Sequence, residues 1–239
     1  MIYSFLQNGD GAVTVEFKNE ISVEVNNCVT ALCEEIERLG IKGVTECIPT
    51  FRSLTVLYDC TVVSSKQLRH RLSYVLKSLN TSGQKSATLY EIPVCYDDCF
   101  APDMQNVCEH TGLSRDEVVA RHSGRDYLIY MLGFLPGFAY LGGMDESIAT
   151  PRLQSPRAEI FAGAVGIGGE QTGIYPVASP GGWQLIGKTP VRVYDKRREN
   201  PILYNSGDYV RFVPVSLDEY KLIEKQVEDG TYEVNRIKI

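Results

Sequence analysis

The spacing of hydrophobic residues in the first half of the chain predicts strands and helices in alternation. Residues 13–17 place apolar side chains at every second position, which is the period of a half-buried strand. Residues 29–39 instead repeat their apolar positions every three or four residues, which is the period of a helix. Asn26 or Asn27 can cap the amino end of this helix, and Gly40 suits the left-handed position after its last turn.

Two short strands and a second helix follow the first helix. The strands are expected around residues 44–48 and 54–58. Ser64 or Ser65 then caps a helix that carries apolar residues at helical spacing over residues 68–79. The pattern up to this point is β-α-β-β-α.

A further strand completes the predicted first domain. Residues 80–85 form a polar loop, and an apolar segment near residues 87–94 follows it. The resulting order β-α-β-β-α-β predicts a ferredoxin-like, split βαβ arrangement in which both helices cover one face of one sheet. We therefore assign residues 1–90 to a ferredoxin-like α+β domain.

The second half of the chain is predicted to be mainly β. It opens with a helical stretch over residues 103–110 and with the capping box Ser114 to Glu117. Twelve of the 21 glycines then fall between residues 133 and 187, among short apolar segments. Many short strands broken by Gly and Pro indicate a closed or nearly closed β-barrel, so we assign residues 91–239 to a barrel domain with a short helical lead-in. The expected strands include residues 127–132, 183–186, 191–194 and 209–213, and the expected last helix covers residues 217–227.

Composition restricts the classes of function. The 24 Lys and Arg residues against 30 Asp and Glu residues give a net charge of -6, so no basic field exists to collect nucleic acid or anionic lipid. No apolar segment approaches the roughly 18 residues of a membrane span, and the amino terminus lacks the pattern of a secretory signal. The seven cysteines, an odd number, are interpreted as reduced thiols rather than a disulfide framework or a metal site. We expect a cytoplasmic protein with no nucleic-acid, membrane or metal partner.

Two glycine-rich segments resemble nucleotide-binding loops but lack the flanking secondary structure that such loops require. Residues 182–189 satisfy the pattern G-x-x-x-x-G-K-[ST] letter by letter, but a P-loop exposes backbone amides and then starts a helix. Here the middle residues are bulky and strand-like, and Pro190 follows at once. Lys188 can still contact an anion. The run over residues 162–169 lacks the third glycine of a dinucleotide loop and is interpreted as tight barrel turns.

Polar residues in the stretch rich in Gly and Pro form a candidate binding site. Arg152 and Arg157 each follow a proline, and two arginines can bind a carboxylate or phosphate bidentately. Gln171, Tyr175 and the single tryptophan, Trp183, can supply hydrogen bonds and an apolar wall. The alternative is that Pro and Gly only turn the chain here, and that both arginines are solvated surface charges.

Among the three histidines, His122 at the entry to the predicted barrel is the candidate acid-base residue. His70 lies between two arginines in the predicted second helix and is expected at the surface. No serine lies in a Gly-x-Ser-x-Gly motif, and only three histidines could serve as a base, so the sequence does not favour a hydrolytic triad.

Several long motifs lie in order along the whole chain: Pro49–Leu54, Glu91–Tyr96, Tyr130–Leu141, the pairs Pro151–Arg152 and Pro156–Arg157, Ala162–Tyr175 and Ser179–Pro190. Together they resemble the allophanate hydrolase subunit 1 family. This family includes the B subunit of 5-oxoprolinase, the carboxyltransferase region of urea carboxylase and the Kip-type inhibitor of a sporulation kinase. The resemblance implies a ferredoxin-like amino-terminal domain and a cyclophilin-like barrel.

The resemblance also implies a function. Free-standing members are similar to the B subunit of 5-oxoprolinase, which works with C and A subunits to open 5-oxoproline to glutamate at the expense of ATP with magnesium. No metal or biotin is implied in this chain. Lactam opening is uphill near neutrality, and phosphorylation of the amide oxygen would create a leaving group and activate the carbon towards water. The implied chain is an enzyme subunit that is inactive alone.

The same resemblance suggests roles for the candidate residues. Arg152 and Arg157 are expected to bind carboxylate or phosphate, Gln171 and Tyr175 the amide, and His122 to carry a proton. The remaining substrate-binding candidates are Trp183 and Lys188.

One departure from the family pattern and two other functions remain open. Where the family reads Val-Pro-Ala-Gly-Ser-Val-Gly-Ile, this chain has Phe161 in place of the proline and Ala164 in place of the serine. A Kip-type inhibitor of a sensor histidine kinase would share the architecture without catalysis. Carboxyl transfer or amide hydrolysis on a urea-derived substrate is the other alternative, although the chain has no Met-Lys-Met biotin acceptor and would need a separate carrier.

Overall fold

The chain forms two units, Met1–Lys85 and Ser86–Ile239, and each is described by itself. The computed structural model describes residues 2–20, 22–79 and 87–239. The predicted domain boundary between residues 90 and 91 falls inside a strand, Thr88–Val94, that lies wholly within the second unit.

An antiparallel sheet of four strands and two helices make up the first unit. The strands are β1 Tyr3–Asn8, β2 Ala12–Phe17, β3 Val44–Pro49 and β4 Ser53–Tyr58, and the helices are α1 Val23–Leu39 and α2 Ser65–Ser78. The strands stand in the order β1-β2-β4-β3. Val15 and Leu54 from the sheet and Leu32 and Leu68 from the helices are fully buried in one core. Both helices therefore cover the same face of the sheet, as predicted.

Local sequence determines where the two helices begin and end. Ser22 caps α1, because its hydroxyl accepts a 3.3 Å hydrogen bond from the third helical amide. The predicted cap at Asn26 or Asn27 is wrong, since the Asn26 amide is buried within α1 and donates to backbone carbonyls between β3 and β4. Gly40, at φ +54°, ends α1, and Ser64 caps α2 in a reciprocal capping box. Both of these predictions are confirmed.

The strand that follows α2 does not return to this sheet. Strand β5, Thr88–Val94, pairs in parallel with β13, Tyr209–Pro214, and antiparallel with β14, Asn235–Lys238. The edge position beside β2 is occupied by β1 instead. The predicted order β-α-β-β-α-β is therefore wrong, because the apolar pattern of a strand gives its period and not its partner. The predicted polar loop over residues 80–85 lies outside the described residues.

The second unit is mainly β and contains three helices. Its helices are α3 Met104–Thr111, α4 Arg115–Ser123 and α5 Leu217–Asp229, with a short 3₁₀ turn at Glu146–Ile148. The remaining strands are β6 Asp126–Leu132, β7 Ala139–Gly142, β8 Arg157–Ile160, β9 Ala164–Gly168, β10 Gln171–Ile174, β11 Ser179–Gly181 and β12 Gln184–Lys188. The predicted capping box at Ser114 is confirmed at the start of α4. No helix in the described ranges is long and apolar enough to cross a membrane.

The strands of the second unit form three sheets, in the orders β14-β5-β13-β6-β7, β10-β9-β12 and β11-β8. An isolated bridge between Cys95 and Lys188 joins the end of β5 to β12. Strand β7 lies beside β10 without ladder pairing. The prediction of a closed barrel is therefore corrected for the described residues, because irregular segments at residues 143–156 and 175–178 interrupt the ladders. Side chains from the two larger sheets still share one core, with Phe212 and Ile186 fully buried.

The predicted strand over residues 191–194 is also wrong. Only Tyr194 makes a bridge, with Ile202. Val191 and Val193 are buried while Arg192 is exposed, so the alternation that suggested a strand is real. It reflects burial of alternate side chains along an irregular backbone, which period-two arguments do not distinguish from a ladder.

The glycines of residues 162–169 have two different roles. Gly163 and Gly169 have φ values of +81° and +66° and turn the chain, as predicted. Gly166 and Gly168 lie inside β9 instead, so the interpretation as tight turns is wrong for these two positions.

Glycines in β9 and β10 provide a flat surface for the indole of Trp183. A Cβ atom at Gly168 would lie 2.3 Å from the indole Nε1, and one at Gly173 would lie 3.2 Å from the ring. A Cβ at Gly166 would lie 3.3 Å from the Cβ of Trp183. These three glycines are here called the glycine floor. A side chain at Gly168 or Gly173 would press on the indole ring, and one at Gly166 would crowd the Cβ of Trp183 and the backbone oxygen of Gln184.

We predict that Gly168→Ala displaces the indole and lowers the free energy of unfolding by about 1–3 kcal/mol, the usual cost of overpacking. Denaturant unfolding followed by the fluorescence of the single tryptophan measures both effects. Gly133→Ala is the matched control, because its added Cβ would meet nothing closer than 3.8 Å. Equal stability of the two variants would contradict the proposed packing.

Candidate functional site

Trp183 is the centre of an aromatic cluster that carries several of the predicted binding residues. Its ring centroid lies 5.6 Å from that of Phe138 and 5.9 Å from that of Tyr175, both edge to face. The guanidinium carbon of Arg152 lies 6.0 Å from the indole centroid, at the limit of a cation–π contact. The glycine floor and these neighbours fix the indole in one orientation. We call Arg152, Tyr175 and Trp183 the indole site.

The hydroxyl of Tyr175 is held beside the backbone of Trp183. Tyr175 is buried, and burial raises the pKa of its phenol. The charges of Arg152 and Arg157 and the nearby backbone amide of Trp183 lower this pKa and offset part of that rise. The phenol therefore stays protonated near neutrality and can donate its proton in a hydrogen bond.

Arg157 forms an ion pair with a buried carboxylate. Its guanidinium lies 2.6 Å from an oxygen of Asp103, whose side chain is 4% exposed. The second carboxylate oxygen of Asp103 accepts a 2.7 Å hydrogen bond from the backbone amide of Leu185. This network connects the start of α3 to β8 and β12. A charge that is neutralised in this way contributes little to the binding of a further anion.

Arg152 differs from Arg157 in its exposure and in its charge pairing. Its residue is exposed, and within the described ranges its guanidinium takes part in no ion pair. The segment that bears it is fixed by two hydrogen bonds. The Gln184 amide donates to the carbonyl of Pro151 at 2.9 Å, and the Leu153 amide donates to that of Gly182 at 2.7 Å. Arg152 is therefore a positioned cation with free donors.

The ring of His122 is fully buried. Its Nδ1 lies 2.7 Å from the hydroxyl of Tyr96, and its Nε2 lies 2.7 Å from the hydroxyl of Thr172. The ring also stacks on Phe212 at 4.4 Å. Burial lowers the pKa of His122 from 6.5 to about 3, so the ring is neutral near pH 7. Proton exchange with solvent would have to pass through one of the two hydroxyls, and its role as a proton carrier stays a prediction.

Gln171 is the first residue of β10 and lies next to Thr172. Its side chain is half-buried and makes no hydrogen bond within the part of the chain that the structure describes. It is thus free to bind a ligand amide. Its position relative to the indole site follows from the pairing of Gln171 with Gly168, a member of the glycine floor.

Lys188 lies in an aromatic cage and not in a phosphate loop. Its ammonium nitrogen is 5.1 Å, 5.6 Å and 5.5 Å from the ring centroids of Phe100, Phe161 and Tyr220. The carboxylate of Glu224 lies 3.8 Å away. The residue ends β12, and its backbone amide donates to the carbonyl of Cys95. The P-loop pattern therefore lacks the exposed amides that bind phosphate, as the sequence context predicted.

Four residues that sequence reasoning did not single out belong to this region. Asp103 is buried as the partner of Arg157, and nothing local in the sequence distinguishes it from a surface acid. Ser179 and Gln184 are buried, and each has a side-chain oxygen with no partner among the described residues. Phe134 is 65% exposed and has a φ of +64°. The only sequence signal for Phe134 is its place in the motif Tyr130–Leu141.

The predicted residues thus separate into three places. Arg152, Arg157, Tyr175 and Trp183 come together, whereas His122 lies in the core and Lys188 lies against α5. Within the residues that the structure describes, no three His, Cys, Asp or Glu side chains are close enough together to hold a metal ion.

Comparisons with known proteins agree over most of the chain. Residues 3–204 match the family described as carboxyltransferase domain, subdomain C and D. The B subunit of 5-oxoprolinase from Bacillus subtilis is 42% identical over 235 residues, which cover 94% of this chain and 98% of that protein.

Two solved structures are similar in fold. The crystal structure of TTHA0988 has a TM-score of 0.76 and 36% identity, and covers 86% of this chain but 40% of its own length. The urea amidolyase of K. lactis has a TM-score of 0.83 over 99% of this chain and 16% of that enzyme. Its 21% identity limits the likeness to the fold. Both of these chains are much longer than this one.

We predict that the stability of the chain falls by about 2 kcal/mol between pH 7 and pH 5 because of His122. The unfolded ring has its ordinary pKa of 6.5, whereas that of the folded ring is about 3. The unfolded chain therefore binds a proton first, so stability is complete above about pH 6.5 and decreases as the pH falls.

Denaturant unfolding at the two pH values measures this effect. The variant His122→Gln is expected to be less stable at pH 7 but to lose less stability on acidification. His70→Gln, at an exposed position on α2, is the control and keeps the wild-type dependence. If His122→Gln lost as much stability between pH 7 and pH 5 as the wild type, protonation of His122 would be excluded as the cause.

Proposed function

This chain belongs to the carboxyltransferase-domain family that contains the B subunit of 5-oxoprolinase, and we propose that it is itself the B subunit of an ATP-dependent 5-oxoprolinase. The complex opens the lactam of 5-oxoproline to glutamate with companion A and C subunits, in the cytoplasm. The single observation that carries this proposal is 42% identity to a B subunit over 94% of this chain.

The proposed substrate-binding residues are those of the indole site. Arg152 binds the carboxylate of 5-oxoproline, because it is an exposed cation with free donors above an aromatic wall. Trp183 supplies the apolar surface for the ring methylenes. Tyr175 donates a hydrogen bond to the amide oxygen, which strengthens as negative charge develops on that oxygen. Gln171 is the second candidate for the amide.

The proposal gives two residues positioning roles. Arg157 orients β8 and β12 through Asp103 and so fixes the backbone of Trp183. His122 holds β10 through Thr172, one residue from Gln171. Neither residue needs to touch the substrate for its loss to affect turnover.

ATP is assigned to a companion subunit. The phosphate-binding pattern over residues 182–189 contains Lys188, whose ammonium is held among three aromatic rings. The amides of Lys188 and Thr189 donate to the carbonyls of Cys95 and Gly163. These residues do not fit a phosphate cradle, so no step with ATP is assigned to this chain.

We also assign the two units to the domains predicted as residues 1–90 and 91–239. The strand order β1-β2-β4-β3 with both helices on one face supports a ferredoxin-like domain in which β1 replaces the usual last strand. The two larger sheets around one core support an incompletely paired cyclophilin-like barrel.

Phe134 supports a companion subunit next to the indole site. Its ring is exposed and lies edge to face with Phe138, which in turn contacts Trp183. A φ of +64° is costly for a residue with a side chain, and backbone strain concentrates at functional positions. Exposed aromatic side chains are typical of the centre of protein interfaces.

The first test of the proposed site is Arg152→Ala in the assembled complex. We expect kcat/KM for 5-oxoproline to fall about 10- to 100-fold, the equivalent of one charged hydrogen-bonded contact. The assay is 5-oxoproline-dependent ADP release by this chain mixed with its companion A and C subunits. Lys221→Ala, on the exposed surface of α5, is the control and keeps wild-type turnover.

Two outcomes would contradict this assignment. Wild-type kinetics in Arg152→Ala would exclude the indole site as the carboxylate site. An assembled wild-type complex without activity would exclude the proposed reaction itself.

The second test concerns subunit contact through Phe134. We expect Phe134→Gly to leave the isolated chain at least as stable as wild type, because it relieves a strain of about 1 kcal/mol. The same change is expected to weaken binding of the companion subunit about tenfold or more. Leu222→Ala, which removes a residue that is 59% exposed on α5, is the control. Calorimetric titration of the companion subunit measures affinity, and an unchanged Kd for Phe134→Gly would rule out this interface.

A further inference from the structure

A cavity lies between the end of β12 and helix α5. Its volume is about 130 Å³, which equals the space of roughly four waters at ~30 Å³ each. The end of β12 and the irregular segment after it form one side, with Lys188 and Arg192, and α5 forms the other, with Glu224 and Glu228. Tyr175 is the only residue that this cavity shares with the indole site.

Charges of opposite sign face each other across this cavity. Lys188 and Arg192 are four residues apart on one side, and Glu224 and Glu228 are one helical turn apart on the other. Two glutamates at this spacing destabilise an isolated helix by a few tenths of a kcal/mol. The cavity is therefore dipolar, and a ligand with a single charge would face an unmatched charge of its own sign.

The inner two charges are already satisfied. The Lys188 ammonium lies among three aromatic rings and 3.8 Å from Glu224. The carboxylate of Glu224 accepts a 2.8 Å hydrogen bond from the Tyr220 hydroxyl. These groups determine the local field and are not free to pair with a ligand.

The outer two charges retain their binding capacity. In the described ranges, the Arg192 guanidinium makes no hydrogen bond, and its one ion contact is a 3.8 Å approach to Asp195. Asp195 is held by Arg197 at 2.6 Å instead. The carboxylate of Glu228 is exposed and makes no ion pair with any described residue.

We propose that this cavity binds a small α-amino acid as its zwitterion. The carboxylate pairs with the fork of Arg192, and the ammonium pairs with Glu228. The side chain lies against the apolar part of the wall, where Pro176 and Val191 line the cavity. The volume accommodates a small amino acid, and the facing charges discriminate against plain carboxylates and plain amines.

The test is ligand binding to the isolated full-length chain, with L-alanine and L-glutamate as probes. Chemical-shift titration by NMR measures the Kd of each amino acid and of its analogue without the amine, propionate or glutarate. We expect at least one amino acid to bind at least tenfold more tightly than its analogue. Arg192→Gln and Glu228→Gln are each expected to weaken that binding tenfold or more, with unchanged thermal unfolding.

The matched controls remove one positive and one negative charge of α5 that lie outside the cavity. Lys221→Gln and Asp218→Asn change surface groups of α5 that do not line the cavity, and should leave binding at its wild-type value. The proposal is overturned if neither amino acid binds, if the analogues bind equally well, or if Arg192→Gln and Glu228→Gln both retain wild-type affinity. The assay needs no companion subunit, so its result does not depend on the proposed oxoprolinase activity.

Discussion

The packing of one indole against bare backbone is the constraint on which the candidate site depends. Trp183 packs directly on Gly168 and Gly173, where an added Cβ would lie 2.3 Å and 3.2 Å from the indole, and Gly166 leaves room beside its Cβ. Tyr175 packs edge to face against the same tryptophan, and the guanidinium carbon of Arg152 lies 6.0 Å from the ring centroid. Any shift of the indole would therefore move the cation and the phenol together. The site is rigid because its wall, its donor and its cation have a common support.

Burial, more than residue type, separates the functional candidates from the structural ones. Arg152 and Arg157 have the same sequence context, each after a proline, yet only Arg157 has a buried carboxylate partner. His122 is a typical acid-base residue by type, but its two nitrogens are occupied by hydroxyls and its pKa is far below neutrality. Lys188 matches a phosphate-binding pattern and instead connects a strand to a helix through aromatic rings.

Local signals in the sequence predicted local structure well, and they failed where partners are distant. Gly40 and Ser64 were assigned correctly because a helix end depends on a few adjacent residues. Strand β5 was assigned to the wrong sheet, because its partners β13 and β14 lie far along the chain. Gly168 lies in a strand and not in the predicted turn. The sequence does not show this, because the indole that requires a glycine there is fifteen residues away. Asp103 could not be found at all, because only tertiary packing buries it.

The position of β5 between β14 and β13 also has a consequence for biosynthesis. Leu89 is made early, but its ladder partners Tyr209 and Ile237 are translated much later. The strands of the first unit pair only among residues 3–58, so that sheet can form while the ribosome is still working on the second. Until β13 and β14 have been synthesised, the apolar residues of β5 are unpaired, and exposed strands of this kind are prone to aggregation. An unpaired β5 is therefore an aggregation risk for as long as the second unit is incomplete.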